Sequence, residues 1–108
     1  MAERVRVANL AEVPPGTGRQ MQVSGRAVAI YNVDGTMHAI DGTCTHRGGP
    51  LGEGELVGNV VTCPWHGACF DVTTGGVLRP PAPQGVMSHR VTVEGDAIFV
   101  ELASELHR

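Results

Sequence analysis

Lysine is absent from this chain, and its eight cations are arginines scattered singly through a slightly acidic sequence with net charge −3 and pI near 5.9. A nucleic-acid binder needs clustered cations to neutralise phosphates, so nucleic acid is not an expected partner. Long apolar runs are missing too, each extending over a few residues against the ~20 needed to cross a bilayer. The first nine residues carry Glu3, Arg4 and Arg6 where a signal peptide would have a continuous apolar core. A soluble, cytoplasmic protein without membrane association is the resulting expectation. Cysteine is scarce, three in all, which implies no disulfide framework and suits a reducing compartment. The sequence also offers no nucleophile paired with a base, no phosphate-cradling loop and no open iron site of two histidines and a carboxylate. No catalytic residue is nominated, and any catalysis must reside on another protein.

What is present suffices for one compact domain over residues 1–108, with 42% hydrophobic content and too little length for two. Alternating patterns over residues 5–7 and 19–23 read as strands. The runs 27–33 and 37–40 flank Asp34-Gly35, a strong hairpin signal. A second hairpin is expected from 86–93 and 97–102 across Glu94-Gly95-Asp96. Between the hairpins lies a loop with Pro80, Pro81 and Pro83, which cannot be central strand or helix interior and is expected to be rigid and exposed. Only residues 103–108 look helical. Fifteen glycines, seven prolines and no sustained helical period predict an all-β fold, an antiparallel β-sandwich or barrel, interrupted at about residues 42–71 by an inserted site.

Within that insert Cys44-x-His46 is followed, after sixteen intervening residues, by Cys63-x-x-His66. The segments Cys44-Thr45-His46-Arg47-Gly48 and Cys63-Pro64-Trp65-His66-Gly67 look like two copies of one loop, each able to supply a sulfur and a nitrogen. Thiolates select zinc, copper(I) or iron-sulfur clusters, and imidazole is compatible with all three. Zinc fingers carry their histidines on a helix, and here Gly and Pro stand where the helix would be. A single ion gripped by two ligands as close as Cys44 and His46 would be strained. A binuclear cluster relieves this, with two cysteines on one iron and two histidines on the other, the Rieske arrangement. A mononuclear zinc site remains the alternative.

The stretches Cys44-Thr45-His46-Arg47-Gly48-Gly49-Pro50-Leu51 and Cys63-Pro64-Trp65-His66-Gly67-Ala68-Cys69-Phe70-Asp71 resemble the two cluster-binding boxes of Rieske proteins. They most resemble those of the Rieske-type [2Fe-2S] ferredoxins of bacterial aromatic-ring-hydroxylating dioxygenase systems. Thr74-Gly75-Gly76 and Pro80-Pro81-Ala82 resemble the segment that covers the cluster, and Val91-Thr92-Val93-Glu94-Gly95-Asp96 the closing hairpin, so the likeness covers nearly the whole chain. It implies a Rieske fold, one [2Fe-2S] cluster on Cys44, His46, Cys63 and His66, and an electron carrier between a flavin-dependent ferredoxin reductase and a terminal oxygenase, working as a monomer. The small Rieske-like subunit of assimilatory nitrite reductase is a second possibility within the redox class, and a zinc-stabilised interaction module a third.

Respiratory Rieske proteins add a cysteine to each box, joined as a disulfide, and a serine and tyrosine whose hydroxyls bond the sulfurs. The matching positions here are Gly49, Trp65, Ala68 and Phe70, and none can do either job. Hydrogen bonds to sulfur raise the potential, so their loss places it near the low end, about −150 mV. A low-potential cluster is expected to pass electrons near neutral pH without releasing a proton. Pro50, Leu51, Trp65 and Pro81 are expected to form an apolar collar for docking and shielding, rimmed by Glu53 and Glu55. Cys69 reads as a small buried residue, and Asp71 as a structural residue bonding within its loop. His38 and His89 read as surface or half-buried side chains, His107 as part of a tail, and Gly48-Gly49 as a source of backbone freedom.

Overall fold

The computed structural model describes residues 4–45, 48–65, 67–80, 82 and 84–103. The Asp34-Gly35 turn closes β3 (Arg26–Val33) onto β4 (Thr36–Asp41), with Val33 opposite Thr36. Both turn residues take positive φ, 52° and 93°, which the tight hairpin turn that matches strand twist requires. The second expected hairpin also forms, from β9 (Ser88–Glu94) and β10 (Ala97–Glu101), with Ala97 opposite Glu94. With β1 (Arg4–Asn9) and β2 (Gly18–Val23) these strands make one antiparallel sheet in the order β1-β10-β9-β4-β3-β2. The all-β architecture with an insertion between the hairpins is therefore the observed one.

The insertion carries a sheet of its own. β5 (Glu55–Val57), β6 (Val60–Thr62), β7 (Cys69–Asp71) and β8 (Val77–Arg79) pair in that order, all antiparallel. It thus reaches Arg79, past the expected end at 71, because Val77 pairs with Phe70 and Arg79 with Cys69. β9 starts at Ser88, two residues later than expected, since Val86 and Met87 belong to the preceding loop. Pro80 in that loop is exposed as expected, while Ala82 is buried. Of the helix expected at 103–108, Ala103 is irregular and the rest, including His107, lies outside the described residues.

β3 explains how base and insertion hold together. Val28, Ala29, Ile30 and Tyr31 are all 0% exposed, so this strand is covered on both faces. Val28 and Ile30 join Val13, Val23, Ile98 and Val100 in the core of the base. Ala29 and Tyr31 point the other way, into a second core with Leu51, Val61, Phe70, Cys44 and Cys63. The Tyr31 hydroxyl then donates across this second core to the Leu51 carbonyl at 2.7 Å. Burial pushes the phenol's pKa up, and the nearby Cys63 adds to it, so the proton stays in place.

Tyr31→Phe removes that bond but leaves the Gly54 N–H on the same carbonyl. The expected loss is therefore about 1 kcal/mol, and not the larger penalty of a stranded buried acceptor, in denaturant unfolding of the intact protein.

Candidate metal centre

The first box is a loop clasped at its root. Leu51 N–H donates to the Gly42 carbonyl at 2.9 Å, Thr43 and Pro50 form a bridge, and Cys44 N–H donates to the Gly49 carbonyl at 2.9 Å. Gly48 N–H then returns to the Cys44 carbonyl at 2.9 Å. Closing a turn over five residues in this way needs a left-handed residue near its end, and Gly48 has φ of 79°. The second box repeats the design between β6 and β7. Thr62 pairs with Cys69, Cys63 N–H donates to Ala68 O at 2.7 Å, Gly67 N–H to Cys63 O at 3.2 Å, and Gly67 has φ of 81°. The two boxes are one turn used twice, as their sequences suggested.

The turns meet each other. A Cβ on Gly49 would fall 2.6 Å from Cys63 Sγ and 3.2 Å from Trp65 Cγ. Gly49 is thus required by close approach, a correction to the expectation that it only loosens the backbone. The positions where respiratory relatives would place a disulfide are here a glycine under an indole. Cys44 and Cys63 are 2% and 3% exposed, and no disulfide joins Cys44, Cys63 and Cys69. Ala68 and Phe70 are fully buried in the same core as both thiols, so neither brings a hydroxyl to them. Buried thiols at matching places on two apposed turns fit an iron-sulfur cluster. The other half of the donor set, His46 and His66, lies outside the described residues. Among the described residues no three metal-binding side chains converge.

The collar is smaller than expected. Trp65 is 56% exposed and Pro50 half-buried, but Leu51 is 0% exposed because it serves the second core. Pro81 lies outside the described residues, while Glu53 and Glu55 are exposed. Leu78 on β8 is an exposed apolar residue that sequence reading passed over, since three residues are too few to show alternation. Cys69 is buried, 3.4 Å from Thr62 Oγ1. Asp71 accepts from the Thr73 hydroxyl at 2.6 Å, the Thr73 N–H at 2.9 Å and Asn59 Nδ2 at 3.1 Å, and these bonds hold its carboxyl below the usual range. Its structural role stands. His38 is half-buried, as expected.

Base side chains that steady the first loop escaped sequence reasoning. Gln20 on β2 donates from Nε2 to the Gly42 carbonyl at 2.9 Å and accepts from Gly52 N–H at 2.6 Å, spanning both ends of the loop. His89 is another correction: its side chain is 0% exposed, with Nε2 2.9 Å from Asp41 Oδ1 and Nδ1 accepting from Ala103 N–H at 2.9 Å. An unpaired glutamine or histidine in a strand carries no sequence mark of its distant partner. Burial pushes the Asp41 carboxyl up, but the His89 ring, the Met87 N–H and the Arg26 guanidinium outweigh it and hold the pKa below the usual range.

The Rieske [2Fe-2S] domain family matches residues 3–96. The ferredoxin component of the naphthalene 1,2-dioxygenase system of Pseudomonas aeruginosa is 35% identical over 94 residues, covering 87% of this chain and 90% of that protein. Among solved structures, the ferredoxin of carbazole 1,9a-dioxygenase from Nocardioides aromaticivorans IC177 superposes with a TM-score of 0.85 at 31% identity, covering 90% of this chain and 95% of that one. A chain from a complex of reduced oxygenase and oxidized ferredoxin in carbazole 1,9a-dioxygenase superposes at 0.87 with 31% identity, covering 96% and 97%.

Gly49→Ala has no room against Cys63 and Trp65, and it is expected to fold yet lose most of its bound iron and visible absorbance. Asp41 gives a pH signature. A carboxyl whose folded pKa is depressed stabilises the fold fully above its unfolded value and loses that contribution as pH falls through the folded one. The stability advantage of wild type over Asp41→Asn, measured by urea unfolding, should be full above about pH 4 and shrink below it.

Proposed function

The chain belongs to the Rieske [2Fe-2S] family, and from that premise we propose that it is a one-electron carrier, a ferredoxin taking electrons from a flavin-dependent reductase and delivering them to a terminal aromatic-ring-hydroxylating oxygenase. The observation that carries this reading is the pair of matched cysteine turns, tied by no disulfide. The naming of the relatives as ferredoxin components supports it. A complex of ferredoxin with oxygenase among the structural neighbours supports the oxygenase as partner.

In this reading the Cys44 and Cys63 thiolates hold one iron and the His46 and His66 imidazoles the other, with one cluster per chain. The cluster, when bound, supplies reversible one-electron chemistry. The chain's own residues do the rest: the second core keeps water from the thiols, Trp65 and Pro50 offer apolar surface, and Glu53 and Glu55 are exposed carboxylates a few residues past Pro50 in sequence. Such a surface suits brief docking, with charge guiding encounter and the indole supplying contact. The carrier works as a monomer, and a reducing compartment such as the cytoplasm suits its cysteines. All four ligand residues are kept, which speaks against a nitrite reductase small subunit of the kind that lacks ligands.

Gly49, Trp65, Ala68 and Phe70 supply neither disulfide nor hydroxyl, and the midpoint potential is expected near about −150 mV. A potentiometric titration followed by visible absorbance tests this, together with reductase-driven, substrate-dependent oxygen uptake on adding the oxygenase. A midpoint well above zero, or a colourless folded protein with stoichiometric zinc, would sink the reading.

A further inference from the structure

Two loops that share a cluster must keep their register, and here no disulfide does it. The buried Gly49 brings the two loops together at one place, against Cys63 and Trp65. Residues 84–87 run as a strap from the first box to the turn that follows β7, the last strand of the second box. On the first side, Asp41 N–H donates to Met87 O at 2.9 Å, Met87 N–H returns to Asp41 Oδ2 at 3.1 Å, and the Thr45 hydroxyl donates to Gln84 O at 2.6 Å. On the second side, Val86 N–H donates to Gly75 O at 2.7 Å, and Gly75 N–H to Asp71 O at 2.7 Å, at the end of β7. The backbones touch there: a Cβ on Gly75 would fall 2.1 Å from Val86 O, and one on Gly85 2.5 Å from Gly75 O.

We propose that Asp41 is a positioning residue for the cluster, its carboxylate locking this strap to the root of the Cys44 loop and so keeping the Cys44 turn in register with the Cys63 turn. The inference rests on the reading that these two cysteines hold iron. The carboxylate is itself aimed from two strands of the base: Arg26 Nη2 on β3 donates to Oδ1 at 3.3 Å, and His89 Nε2 on β9 lies 2.9 Å from the same oxygen. Those two side chains are tied in turn to one backbone residue, Ala103, through its N–H to His89 Nδ1 and its carbonyl to Arg26 Nη1 at 2.7 Å. Only Gly42 and Thr43 separate Asp41 from Cys44. A tilt of the carboxylate therefore reaches the thiol with little chain to absorb it.

Removing the carboxylate takes the Met87 N–H's partner away and loosens the strap on the first side, where the Asp41 N–H bond to Met87 O and the Thr45 bond to Gln84 O remain, while the ladder from Val86 to Gly75 is untouched. The test compares iron-loaded wild type, Asp41→Ala, Thr45→Val and Val100→Ala. The last trims the separate core of the base and controls for general loss of stability. Release of iron to a chelator should be about tenfold faster in Asp41→Ala and several-fold faster in Thr45→Val, with a changed visible circular dichroism spectrum in both. Val100→Ala should keep the wild-type spectrum and release rate. Wild-type release and spectra in the Asp41 and Thr45 variants, or equal acceleration in Val100→Ala, would overturn the proposal. If Asp41→Ala does not fold, Thr45→Val decides, since it deletes one hydroxyl at the far end of the same strap. A wild-type protein without a [2Fe-2S] spectrum would instead overturn the carrier reading, and this inference with it.

Discussion

The structure depends on one strand buried on both faces. β3 gives Val28 and Ile30 to one core and Ala29 and Tyr31 to the other, all at 0% exposure. Neither core closes without it. The base would lose a central wall, and the insertion, whose largest strands are three residues long, would have nothing to pack on. Sheets of such short strands do not stand alone in water. Shared burial across β3 lets one strand of the six-stranded sheet wall both cores.

The two turns reach their geometry by different routes. The second sits between β6 and β7, and its root is an ordinary strand pair, Thr62 with Cys69. The first has only the isolated bridge of Thr43 with Pro50. Side chains from the base make up the difference: Gln20 spans Gly42 and Gly52, Tyr31 holds Leu51 O, and Asp41 holds Met87. Each adds a side-chain bond to a backbone group of the loop or its neighbour, and the Leu51 and Gly42 carbonyls also keep backbone partners in Gly54 and Leu51. The loop with less sheet beneath it takes more support from β2, β3 and β4.

This division explains what could be read in advance. The hairpins were legible because the Asp34-Gly35 and Gly95-Asp96 turns and period-two patterns are local, and the boxes because cysteine, histidine and glycine at short spacing leave few chemical alternatives. β5 to β8 were missed: three-residue strands are too short to show alternation, and their pairing depends on the fold around them. Leu51 looked like collar and proved core because nothing local tells that Tyr31 will bond its carbonyl. His89 looked half-exposed and proved fully buried for the same reason. Its partners Asp41 and Ala103 are 48 and 14 residues away in sequence. Long-range satisfaction of polar groups was the illegible part throughout.

Holding and tuning are thereby assigned to different atoms. Gln20, Tyr31, Asp41 and Thr45 direct their polar groups at backbone carbonyls and N–H groups. The positions from which hydroxyls would bond sulfur are the buried Ala68 and Phe70. Hydrogen bonds to sulfur stabilise a reduced cluster, whereas bonds to the backbone of its loops do not alter the charge at sulfur directly. Hydroxyls on sulfur would couple attachment to a raised potential. In the proposed carrier, gripping the loops from the base would avoid that coupling, so that a tightly held cluster could still give its electron up.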